Sequence, residues 1–132
     1  MVYIFLLKLF KNISFGKVGS ALRLFCLRHL VPECGKNIFI GTGITFVHLE
    51  NLYLKNNISI RQDCYIDCSA KVTIGNDVSI AHGVSIISFN HSHKGSRKIR
   101  ENELIKEPIT IEDDCWINCI LGGVPAKVIK RI

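Results

Sequence analysis

The chain has no C-x-x-C pair, no apolar run long enough to cross a bilayer, no recognisable secretory leader, and fewer acids than bases. Each shortage closes off a class of protein. The six cysteines are spaced as Cys64 and Cys68, and as Cys115 and Cys119, four residues apart, which fits neither zinc knuckles nor a disulfide framework. Thiols used as small core side chains in a reducing, cytoplasmic setting are the expectation. Residues 1–10, MVYIFLLKLF, supply half of the roughly 20 apolar residues a spanning helix needs. They lack the positive start and small-residue cleavage site of a signal peptide. The plain expectation is a helix packed on the domain. The sharper one is weak, peripheral contact of residues 1–30 with a membrane surface, Lys8, Lys11, Lys17, Arg23 and Arg28 facing lipid headgroups. Lys plus Arg number 17 against 11 Asp plus Glu, a net charge of +6. That excess favours anionic partners without choosing among them.

What is present is a six-residue clock. Ile74-Gly75-Asn76-Asp77-Val78-Ser79 runs straight into Ile80-Ala81-His82-Gly83-Val84-Ser85. Repeat starts fall at positions 40, 46, 54, 60, 66, 74, 80 and 86. Steps of six are interrupted by steps of eight, at 46 to 54 and at 66 to 74. Three hexapeptides therefore make one turn of a coil, and one corner carries two extra residues. The aliphatic at the first position points inward and stacks on its equivalents. The fifth position, held by Cys64, Val78, Val84 and Cys115, must be small or β-branched. Gly, Asn and Asp supply corners that need left-handed or turn backbone. One coil cannot bury its own inner face, so several must stack.

The rhythm stops after Ile86 and resumes at Ile111. Between them, at about residues 89–108, lies a polar excursion that opens with His91 and His93. A long loop on a rigid repeat scaffold usually carries function. Ahead of the coil, apolar residues recur at helical steps up to Pro32. The expected organisation is an N-terminal helical segment, residues 1–33, and a β-helix domain, residues 34–132.

The phrases IGNDVSIAHGVSI, the His-bearing loop directly after it, PITIEDDCWI and GGVPAKVIKRI occur in that order. With them, residues 34–132 resemble the hexapeptide-repeat acetyltransferases, the group that includes galactoside, maltose, xenobiotic and polysaccharide O-acetyltransferases. The resemblance implies an all-β fold, a left-handed parallel β-helix. It implies a homotrimer with active sites between subunits, acetyl-CoA as donor, a sugar or polysaccharide-precursor hydroxyl as acceptor, and no metal. His91 matches the family's catalytic base, a task suited to an imidazole that titrates near neutral pH; His93 is the fallback. Trp116 matches a tryptophan lining the cofactor cleft. The backbone N–H around Cys119 matches a donor to the thioester oxyanion. Lys127, Lys130 and Arg131 resemble a basic tail that meets coenzyme A phosphates. Asp67 lies where relatives hold the acceptor, although a turn aspartate is more often only a turn residue.

The chain departs from that pattern near its end. Trp116 is followed almost at once by the closing GGVPAK phrase, so roughly one and a half to two coils are missing, at about 18 residues per coil. Two expectations follow: a shortened active transferase, or an inactive remnant serving as a scaffold, with lowered stability. A zinc enzyme of the carbonic anhydrase type, using His82, His91 and His93, is a third reading. Nucleic-acid binding is not expected, because the basic loop has no interleaved aromatics.

Overall fold

The computed structural model describes residues 1–92, 94 and 98–118, together with the backbone of 121–123 and 126–128. Two helices come first, α1 (Val2–Phe10) and α2 (Gly16–Arg28). Short strands follow: β1 (Glu33–Cys34), β2 (Ile38–Ile40), β3 (Thr45–Val47), β4 (Leu52–Leu54), β5 (Ile58–Ile60), β6 (Tyr65–Asp67), β7 (Val72–Ile74), β8 (Val78–Ile80) and β9 (Ser85–Ile87). Then come β10 (Phe89–His91), β11 (Leu104–Lys106), β12 (Ile109–Ile111), β13 (Trp116–Ile117), β14 (Leu121–Gly123) and β15 (Ala126–Val128).

The strands build the three faces of a prism. The first face is β1-β4-β7-β12, the second β13-β8-β5-β2, and the third β15-β14-β9-β6-β3. Pairing between coils is parallel on every face. Ile38 sits on Ile58 and Ile58 on Val78, Leu54 on Ile74, and Ile66 on Ile86, a shift of 20 residues per coil. On the first two faces the alternation of a three-residue strand sends its outer residues inward and its middle residue out. Leu52 and Leu54 are buried around half-buried Tyr53. The third face reverses this, with Ile66 and Ile86 inside at mid-strand. The repeat-start side chains Ile40, Leu54, Ile60, Ile66, Ile74, Ile80 and Ile86 are all 0% exposed, as the six-residue clock requires. Phe46, at the remaining start, packs on this core half-buried.

The corners hold the backbone that strands cannot. Asn37, Asn57, Asp77 and Asp114 stack in one column with φ of 55, 57, 56 and 57°. Asn and Asp tolerate this left-handed region because their side chains bond locally. Here those side chains also bond along the column: Asn37 Nδ2 donates to Asn57 Oδ1, and Asn57 Nδ2 to Asp77 Oδ1, each at 3.0 Å. Beside it, backbone N–H groups of Lys36, Asn56 and Asn76 donate to Asn56, Asn76 and Asp113 one coil on.

The roomier corner joins the third face to the first and holds a single 3-10 turn, Leu49–Asn51. The excursion leaves from this same corner. It is not a plain loop: β10 and β11 pair antiparallel, Phe89 opposite Lys106 and His91 opposite Leu104. The coil then resumes in register, Ile109 on Val72 and Trp116 on Ser79, both offset by 37. On the third face Leu121 lies on Ile86, an offset of 35. The last corner is therefore two residues shorter than its counterparts below. β15 returns antiparallel along β14 and lies at the edge of that face.

The helices pack on each other and on the first coil, and their charges are not all placed as expected. Arg23, expected among the lipid-facing cations, is 3% exposed. Its Nε donates to the Ile40 carbonyl (3.0 Å), and its Nη1 to the carbonyls of Phe10 (3.1 Å) and Ile13 (2.8 Å). Carbonyl oxygens at the helix break and the open edge of β2 hold this buried cation. Ser20 Oγ accepts from the Ile40 N–H at 2.8 Å, so the edge strand has both backbone groups engaged at that residue. Lys11 is also diverted, its Nζ donating to Thr45 Oγ1 at 2.9 Å.

Candidate active site

The excursion is anchored at a buried polar corner. Asp67, the last residue of β6, lies beneath Ile87 of β9. Ser88, 0% exposed, donates its Oγ–H to the Asp67 carbonyl at 2.9 Å, and that Oγ accepts the Ala70 N–H at 2.9 Å. Ser88 thus pins the start of the excursion to the coil below. The Asp67 carboxylate is itself taken up by this corner. It is 4% exposed, and its Oδ1 accepts from the Ser69 N–H (2.8 Å) and the Ser69 hydroxyl (2.6 Å). The Tyr65 hydroxyl donates to Oδ2 at 3.5 Å. This is the geometry of a turn aspartate.

His91 ends β10, three residues beyond Ser88, on a strand aligned against β11 and near β14. The residue is half-buried. Its Nδ1 is buried and has no partner among the described residues, a costly state for a ring nitrogen. Asn90 Oδ1 accepts the His91 N–H at 2.8 Å, and Asn102 Nδ2 donates to the Ser92 carbonyl at 2.6 Å, which ties the two limbs of the excursion together. Ser88, Asn90 and Asn102 position the histidine, and the sequence pattern gave no signal for them.

Trp116 is elsewhere. It opens β13 on the second face, is 66% exposed, and borders an open groove of about 440 Å³ lined by Ser59, Arg61, Gln62, Ser79 and His82. The second face is the side of the prism opposite the corner that emits the excursion, so one chain does not bring Trp116 and His91 together. His93, Cys119, Lys130 and Arg131 lie outside the described residues. For Lys127 only the backbone is described, paired with Gly122.

The thiols act as core. Cys26, Cys64 and Cys68 are buried, and the five described cysteines are free. Burial, then the Asp67 and Glu50 carboxylates, pushes the Cys68 thiol up to about 12, far from a nucleophile's range. Among the described residues no three His, Cys, Asp or Glu side chains gather as a metal ion would need.

No family model matches the sequence. A curated yeast protein does: "Putative acetyltransferase YJL218W" of Saccharomyces cerevisiae is 32% identical over 105 residues, which cover 80% of this chain and 53% of that one. The crystal structure of VCA0836 from Vibrio cholerae, a hexapeptide-repeat-containing acetyltransferase in complex with acetyl-CoA, superimposes over 98% of this chain and 85% of its own, with a TM-score of 0.65 and 19% identity. The chain shares its fold with this hexapeptide-repeat-containing acetyltransferase. Its prism is the left-handed parallel β-helix of that fold, strand-dominated with two helices among the described residues. This hexapeptide-repeat chain spans about half the length of the curated relative it matches.

Proposed function

We propose that the protein transfers an acetyl group from acetyl-CoA to a hydroxyl of a sugar or polysaccharide precursor, with His91 as general base. The observation that carries this reading is the placing of His91: a half-buried imidazole on a strand-paired excursion, pinned by Ser88 to a rigid coil, in a fold whose Vibrio cholerae counterpart is complexed with acetyl-CoA. In the reaction the acceptor hydroxyl gives its proton to the imidazole as its oxygen attacks the thioester carbonyl. The C–O bond forms, the C–S bond breaks, and the imidazolium returns the proton to the departing thiolate.

The groove beside Trp116 suits the donor. An exposed indole offers a stacking face, and Arg61 offers a cation to a phosphate. Because Trp116 and His91 occupy different sides of one prism, a complete site takes them from two subunits, which supports a homotrimer. A cytoplasmic setting accords with the free thiols. The test is an acetyl-CoA consumption assay over a sugar panel, with wild type and His91→Ala side by side. Equal rates would remove His91 from its role.

The short final corner favours a second reading, an inactive scaffold. The offset falls from 37 to 35 exactly where the chain turns towards the third face. Calorimetry with coenzyme A separates the two readings. Heat and saturation support the transferase, and silence at millimolar ligand supports the scaffold.

A further inference from the structure

We propose that the N-terminal helices form a docking face for the surface of an anionic lipid bilayer. Helix α1 has no buried residue, although eight of its nine residues, all but Lys8, are apolar or aromatic. Ile4, Leu7, Lys11 and part of the exposed Lys8 side chain border a small cavity against the coil with Phe46 and Leu49. Phe5 and Leu9, 67% and 58% exposed, lie outside that lining and present most of their surface to solvent. Phe15 and Val18, 71% and 63% exposed, are further exposed apolar side chains at the start of α2.

The charge around this surface selects its occupant. Residues 1–32 contain no Asp or Glu, and Lys8, Lys17 and Arg28 are exposed. A second copy of the chain would bring the same cations against each other. Anionic headgroups would meet them with opposite charge while Phe5, Leu9 and Phe15 enter the acyl boundary. No helix among the described residues is long and apolar enough to cross a membrane. Helix α1, nine residues long, spans about 14 Å at 1.5 Å per residue, so it would lie in the interface.

Sedimentation of the full chain with vesicles tests this. Vesicles of phosphatidylcholine with about one-third phosphatidylglycerol should bind the protein roughly tenfold or more better than phosphatidylcholine alone, and about 0.5 M salt should remove most of that gain. Phe5→Glu combined with Leu9→Glu should lose binding by a similar factor without changing the far-UV spectrum or the melt, since both side chains are exposed. Lys8→Glu with Lys17→Glu should lose the preference for anionic vesicles. Wild-type protein that stays in the supernatant overturns the proposal. So does a Phe5/Leu9 variant that binds like wild type, or one whose only change is a smaller oligomer, which would assign the face to a second copy. Acetyl transfer in solution is read separately, so neither result bears on the other.

Discussion

The coils below the excursion and the coil above it use the same hexapeptide alphabet and differ in what holds them. Residues 33–87 repeat at a constant 20 on all three faces, and every layer has a neighbour. Residues 109–123 rest on that stack at offsets of 37, 37 and 35. The excursion between them leaves register intact, because it departs from a corner rather than a strand. The two-residue loss at the last corner likewise changes only the offset, and Leu121 still lies on Ile86. Changes of length at corners are tolerated, because the strands on either side keep their pairing.

That contrast can be broken experimentally. The largest effect expected is on chemistry: His91→Ala should lower acetyl-transfer rate by about 10²–10⁴, with the melt unchanged because the residue belongs to the excursion. Next is the core. Ile74→Ala in the lower stack, 0% exposed and covered on both sides, should cost about 2–5 kcal/mol in urea unfolding. Ile117→Ala in the upper coil, 7% exposed, should cost less. Equal losses would mean that the upper coil is as well supported as the lower.

A smaller effect is expected in the corner column. Asn57→Ala places a side chain without local hydrogen bonds at φ 57° and removes two rungs, a cost of about 1–2 kcal/mol. Asn57→Gly should recover part of it. The smallest concerns Glu50 at the roomier corner. A backbone hydrogen bond, and then His48 at 3.0 Å, lowers its pKa from the usual 4.5. With the folded value depressed, its contribution is complete above that usual value and is lost as pH falls through the folded one. His48→Ala should therefore narrow the gap in stability between pH 6 and pH 3 slightly, as read by melts at both. Its exposure to solvent keeps the effect small.

The coil was legible because its signal is periodic: an aliphatic at each repeat start has one physical use, and all but Phe46 are fully buried. The excursion's limits at 89 and 108 were legible as a break in that rhythm. Its hairpin was not, since Phe89–His91 and Leu104–Lys106 are too short and polar to announce pairing. The placing of Arg23 was equally hidden. A cation at a helical step reads as surface, and only the carbonyls of Phe10, Ile13 and Ile40 account for its burial. For the site, the type and position of His91 could be read, but Ser88 and Asn102, which hold its support, carry no motif. The separation of Trp116 from His91 follows from which corner the excursion leaves, and the linear order of the motifs conceals it.

The Ser20–Arg23 clasp on Ile40 has a consequence for how copies of this protein can meet. A stack of parallel strands is a natural template for end-to-end polymerisation. With the Ile40 N–H and carbonyl already claimed, the lower edge of the second face is blunted against foot-to-foot joining. Loosening α2, as Arg23→Ala would, should uncover that edge for strand addition by another copy.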